Sequence, residues 1–85
     1  MYNVSGVSRA MIAHGLIEAV KQLPQDRSFL LKDLVQNMNS GNAATLLKFR
    51  GLIRMANRGP YGNPHSWRTT EKHRRLLEYW EERGV

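Results

Sequence analysis

Residues Asn39 to Thr70, NSGNAATLLKFRGLIRMANRGPYGNPHSWRTT, decide the fold. They read as a helix that stops at a glycine, followed by a tight basic hairpin. Ser40 is suited to cap the helix start, because its hydroxyl accepts from backbone N–H groups left unpaired in the first turn. Ala43, Ala44 and Leu47 then recur at helical spacing over Gly41 to Arg50. Gly51 supplies the left-handed residue at which helices commonly end. Leu52 to Met55 and Ser66 to Thr69 suit two short strands. The segment between them, Asn57-Arg58-Gly59-Pro60-Tyr61-Gly62-Asn63-Pro64-His65, is dense in turn formers.

On the helix, Ala43, Ala44 and Leu47 face inward and leave Asn42, Thr45 and Lys48 facing out. These are side-chain types that hydrogen-bond base edges or phosphates. Leu46 and Phe49 fit neither set cleanly and are assigned to the core. An exposed Phe49 would instead be available to a thymine methyl or a partner subunit.

Toward the N-terminus, Met1 to Val7 lacks periodicity and is expected to be a loose arm, residues 1–7. Ser8 then caps a first helix to about Leu23, with Ile12, Leu16, Ala19, Val20 and Leu23 as its stripe and Met11 beside it. Gly15 sits inside that span at a cost of up to about 1 kcal/mol, and Pro24 ends it. Ser28-Phe29-Leu30 suits a short strand anchored by Phe29. Leu31, Leu34, Val35 and Met38 predict a second helix over 31–38. Two short helices joined by the turn at Asn37 to Ser40 have the helix-turn-helix outline, which ordinary helical hairpins share.

Toward the C-terminus, Thr70 can cap a last helix with Glu71 in its first turn. His73, Leu76, Leu77 and Trp80 form its inner stripe, and Gly84 marks its end. Glu71 and Arg75 make a favourable i,i+4 pair, whereas Glu78 and Glu82 repel. Tyr79 lies off the stripe. With Tyr2 and the arm it marks a dimer contact, or else it is a partly exposed aromatic with no partner.

The net charge of +6 on 85 residues is unevenly placed: residues 1–40 carry +1, residues 41–75 carry +7 and residues 76–85 carry −2. A field concentrated on the helix-hairpin unit and the start of the last helix attracts polyanions, chiefly nucleic acid. The alternative is a merely solubilising surface. There is no cysteine, so disulfide frameworks and thiolate metal sites are excluded. No apolar run approaches the roughly 18 residues of a membrane span, and the N-terminus lacks the features of a signal peptide. The expected location is the cytoplasm, or the nucleoid in a prokaryote.

From Leu47-Lys48-Phe49-Arg50-Gly51-Leu52-Ile53-Arg54 onward, the chain resembles winged helix-turn-helix proteins. In that family the recognition helix ends in a Gly-Leu-Ile turn leading into the first wing strand. Trp67-Arg68-Thr69-Thr70-Glu71-Lys72 is similar to the family's transition from the second wing strand into the last helix. The likeness spans about Ser8 to Arg83, and the order helix, helix, helix, hairpin, helix gives it weight. One departure is Ser40, where many relatives carry valine or threonine.

The resemblance implies an α+β, mainly α fold: a three-helix core, a two-stranded wing and a C-terminal helix over residues 8–85. It also implies binding of double-stranded DNA, with helix 41–50 in the major groove and wing 54–68 on the backbone or minor groove. The residues this assigns to DNA are Asn42, Thr45, Lys48, Arg50, Arg54, Arg58, Tyr61, Asn63, His65, Arg68 and Lys72. Arg58 is placed for a narrow minor groove, where the negative potential is greatest. For Gly59, Pro60, Gly62 and Pro64, turn chemistry alone suffices.

Catalytic chemistry is not expected. Glu18, Asp26, Asp33 and Glu71 sit in separate elements, and His14, His65 and His73 lack ligand spacing. No phosphate-binding Gly-rich loop is present. The expectation is a non-enzymatic regulator or architectural factor without cofactor, membrane or small-molecule partner, with a homodimer as one option. A protein-contact module and an RNA-binding module are the alternatives.

Overall fold

Gly15-Leu16, Gly51-Leu52 and Gly84-Val85 each end a helix in the same way. The three glycines have φ of 68°, 79° and 70°. At the first, Leu16 N–H donates to Met11 C=O at 2.9 Å and Gly15 N–H to Ile12 C=O at 3.1 Å. At the second, Leu52 N–H donates to Leu47 C=O at 3.0 Å and Gly51 N–H to Lys48 C=O at 2.9 Å. This is the Schellman arrangement, which satisfies the last carbonyls and sets an apolar residue against the preceding turn. Met11 with Leu16, and Leu47 with Leu52, are the apolar pairs, and all four side chains are fully buried.

In the computed structural model, residues 4–35, 39–58 and 64–85 are described. The elements are α1 (Val4–Ala13), α2 (Ile17–Gln22), a 3-10 turn (Leu31–Asp33), α3 (Ser40–Phe49), β1 (Ile53–Arg58), β2 (Pro64–Thr69) and α4 (Glu71–Arg83). The domain is therefore α+β and mainly helical, with a two-stranded antiparallel sheet.

The single first helix expected over Ser8–Leu23 is corrected to two helices. Gly15 takes positive φ, so the chain turns there and the apolar phase shifts. Met11 is buried while Ile12 is 49% exposed. The expected arm is corrected too, because Val4 to Val7 form the first turns of α1 and Val7 is buried. Residues 1–3, with Tyr2, lie outside the described residues. Ser8 is not a cap but a buried mid-helix residue whose Oγ accepts from Trp80 Nε1–H at 2.7 Å.

The expected helix over Leu31–Met38 is a single 3-10 turn at Leu31–Asp33, and residues 36–38 lie outside the described residues. Leu31 and Val35 are buried and Leu34 half-buried. The apolar spacing thus reflects burial, not a continuous helix. The strand expected at Ser28–Leu30 is one bridge, in which Phe29 and Trp67 exchange both backbone hydrogen bonds at 2.9 Å. That bridge fixes the loop after α2 along the free side of β2.

α3 begins at Ser40, and its cap is Asn39, not Ser40. The Asn39 side chain accepts from Gly41 N–H at 2.7 Å and Asn42 N–H at 3.3 Å. Asparagine is as strong a cap as serine, so sequence preference alone did not separate them. Both strands run longer than expected. Pairing is regular from Ile53↔Thr69 through Met55↔Trp67, then irregular to Arg58↔Pro64. Such bulges let a ladder continue while increasing its twist.

Thr70 stands at the N-cap position of α4 without a capping hydrogen bond. Its hydroxyl donates instead to Gly51 C=O, and its N–H to Leu52 C=O at 3.1 Å. The start of α4 is thereby joined to the end of α3. α4 then covers the core with Leu76 and Trp80, and His73 Nε2–H donates to Val20 C=O at 2.8 Å. The core gathers Met11, Leu16, Val20, Leu47, Leu52, Ile53, Trp67, Leu76 and Trp80 from every helix and both strands.

Candidate nucleic-acid interface

α3 has a sharp division of faces. Ala43 and Leu47 are fully buried, while Asn42, Thr45 and Lys48 are exposed as expected. Thr45 Oγ1 donates to Gly41 C=O at 3.0 Å, so its hydroxyl proton is committed to the helix. It keeps an acceptor and a methyl for a ligand. Leu46 is half-buried against the core. Phe49 is not a core residue: it is 80% exposed. The correction follows from helix geometry. Phe49 lies two residues past buried Leu47, about 200° around the axis, which puts it on the outer side. That spacing was legible in the sequence.

Arg50 caps the C-terminus of α3 and is half-buried. Its guanidinium carbon lies 5.6 Å from the Phe49 ring centroid, within cation–π range. Lys72, half-buried on α4, runs past the end of α3: a Cβ built on Gly51 would sit 3.3 Å from Lys72 Cδ. The end of α3 at Gly51 and the start of α4 at Lys72 therefore lie side by side.

On the hairpin, Arg54 and Arg68 are cross-strand partners. Ile53 and Trp67 are buried, so alternation turns Arg54 and Arg68 to the opposite face. Arg54 is exposed and Arg68 half-buried. Tyr61 and Asn63 lie outside the described residues, as do the side chains of Arg58 and His65, whose backbones belong to β1 and β2.

The basic residues of α4 divide by partner. Arg74 and Arg75 are both engaged by Glu71 and Glu78: Arg74 Nε donates to Glu71 Oε2 at 3.0 Å, and Arg75 Nε lies 3.4 Å from Glu71 Oε1. Glu78 is 3.6 Å from Arg74 and 3.8 Å from Arg75. The hydrogen bonds from Arg74, helped by the charges of Arg74 and Arg75, hold the Glu71 carboxyl below its ordinary range. Among the described residues, Lys48, Arg50, Arg54, Arg68 and Lys72 form no such ion pairs. This separation of neutralised from unneutralised cations is invisible to a count of charges. Tyr79 is half-buried and carries the Arg83 guanidinium 3.9 Å from its ring centroid.

Among the described residues no cluster of His, Asp and Glu could hold a metal ion, and no helix is long and apolar enough to cross a membrane. Comparison with known protein families, with curated proteins and with solved structures finds no match to this chain.

Proposed function

We propose that this domain is a winged helix that binds double-stranded DNA as a transcriptional regulator or architectural factor. α3 enters the major groove, and the hairpin lies on the backbone or adjacent minor groove. The observation that carries this reading is the set of cations with no ion-pair partner among the described residues, Lys48, Arg50, Arg54, Arg68 and Lys72, on the unit that carries the polar outer face of α3. Unneutralised cations bind phosphates and release condensed counterions, and the exposed Asn42 offers the paired donor and acceptor that adenine requires. The element order supports the winged form, with a single 3-10 turn standing where the family has its second helix.

The test is a competition gel shift with duplex DNA, duplex RNA and single strands, each titrated with salt. Duplex DNA should bind best, with a log–log salt slope of about −4 or steeper, at about −0.9 per phosphate contact. Preference for duplex RNA, read through its phosphates and 2′-hydroxyls, would reassign the interface. A slope near zero would point to an acidic protein partner.

A further inference from the structure

Phe49 is unexplained by the architecture. Among the described residues of α3 it alone presents a large apolar side chain to solvent. It stands at i+7 from Asn42 and i+4 from Thr45, so the three share one row along the exposed face. Exposing a phenyl ring forfeits the burial free energy that drives folding, and nothing in the local backbone requires an aromatic there.

The surroundings of the ring discriminate among occupants. Lys48 and Arg50 flank it, with the Arg50 guanidinium against the ring, and the rest of the row is polar. A subunit or protein interface gathers several apolar residues at its centre and depletes lysine there, while enriching phenylalanine and arginine. Phe49 and Arg50 fit that composition, but the ring has Lys48 beside it and no second exposed large apolar side chain on α3. A lone apolar group within a cationic, hydrogen-bonding face matches an anionic surface that displays isolated apolar points. The DNA major groove is such a surface, because each thymine projects a C5-methyl between hydrogen-bonding edges and phosphates.

Resting on the duplex-DNA reading above, we propose that Phe49 contacts the C5-methyl of a thymine and so selects thymine at one position of the site. The rise of an α-helix puts Phe49 about 10 Å along the axis from Asn42. The selected thymine therefore lies within a few base pairs of the base that Asn42 reads. Asn42 and Phe49 then define the two ends of one reading row.

The experiment uses the whole chain and a duplex selected by binding from a randomised pool. The duplex is resynthesised with single thymines replaced by uracil, which deletes the methyl and leaves every hydrogen-bonding group in place. Wild type should lose about fourfold in affinity at one such position, the size of burying one methyl, and Phe49→Ala should show no loss there. Phe49→Leu should retain part of the effect. Circular dichroism checks that the variants fold, as expected for a side chain 80% exposed. If no uracil substitution weakens wild type, or if Phe49→Ala keeps the same loss, the proposal is overturned while DNA binding stands. A change in oligomeric state in Phe49→Ala with the methyl effect intact also overturns it, and makes the ring a subunit contact. If the pool yields no bound duplex, the DNA reading fails, and this proposal with it.

Discussion

Arg54 and Arg68 stand directly opposite one another across the β1–β2 ladder, on the face of the hairpin turned away from Ile53 and Trp67. Directly opposed side chains have Cβ atoms about 5 Å apart, and like charges so placed are destabilising. Neither guanidinium has a carboxylate partner among the described residues. The hairpin thus holds a repulsion that a phosphate between the two groups would relieve.

Arg54→Ala should consequently move stability and binding in opposite directions. Removing the repulsion should raise stability by roughly a few tenths of a kcal/mol. Removing a phosphate contact should lower affinity for all duplexes and reduce the salt slope by about 1. Arg74→Ala should leave the slope nearly unchanged, since Arg74 is engaged by Glu71 and Glu78. Urea unfolding and salt-titrated binding of both variants measure this. A loss of stability in Arg54→Ala would refute the repulsion, and an unchanged affinity and slope would remove Arg54 from the interface.

Asn42 tests reading as distinct from holding. Its side chain is exposed, whereas the Thr45 hydroxyl proton is taken by Gly41 C=O, so on the proposed DNA reading Asn42 has the greater hydrogen-bonding capacity to offer a base. Asn42→Ala should weaken a preferred site by about 1–3 kcal/mol and leave random duplex almost untouched. Competition at one fixed salt concentration compares the two. Equal losses on both duplexes would favour a sequence-blind architectural binder.

Gly51→Ala probes the turn between α3 and β1. At φ of 79° an L-residue meets backbone strain, worth about 1–2 kcal/mol. Space does not add to the penalty, because the new Cβ meets only the flexible Lys72 stem at 3.3 Å. Gly15→Ala should show the same sign for the same reason, at φ of 68°. Denaturant midpoints at unchanged m-value report both; a midpoint equal to wild type at either position would contradict the turn assignment there.

His73 introduces a pH dependence of stability. Burial pushes its imidazole below the ordinary 6.5, and the hydrogen bond to Val20 C=O raises it only part of the way back. A carbonyl can only accept, so the folded ring is neutral with its proton on Nε2; Nδ1 is buried without a partner. Below 6.5 the unfolded chain therefore binds more protons than the folded one. The His73 contribution is fully present above that pH and is lost as pH falls from there toward the lower folded value. Unfolding midpoints between about pH 8 and 5 should fall in wild type and fall less in His73→Gln. The same slope in both would place the proton uptake elsewhere.

Much of the fold was legible because its signals are local. A glycine after an apolar helical run, a turn-rich segment between β-compatible runs, and a stripe at His73, Leu76 and Trp80 each act within a few residues. They placed α3, the hairpin and α4. The Gly15-Leu16 pair carried the same signal as Gly51-Leu52. A stripe through Ile12, Leu16 and Val20 is equally consistent with an unbroken helix, so that signal is ambiguous. The 3-10 turn at Leu31–Asp33 is not legible, because spacing reports which residues are buried, not which hydrogen bonds carry them.

The sequence by itself determined that residues 41–75 carry the positive charge, that α3 has a polar side at Asn42, Thr45 and Lys48, and that helices end at Gly51 and Gly84. These follow from residue type and backbone preference, which need no long-range partner. The Glu71–Arg75 pairing is local and follows from i,i+4 spacing, but only the tertiary structure decided where the cations of the helices and hairpin stand relative to one another. Arg54 stands opposite Arg68 through strand pairing, and the Lys72 stem passes Gly51 where α4 begins beside the end of α3. It also decided that Trp80 bonds Ser8 across 72 positions of chain and His73 bonds Val20 across 53. Such contacts depend on how far apart the packed core holds two chain segments, and no pattern along the sequence encodes that distance.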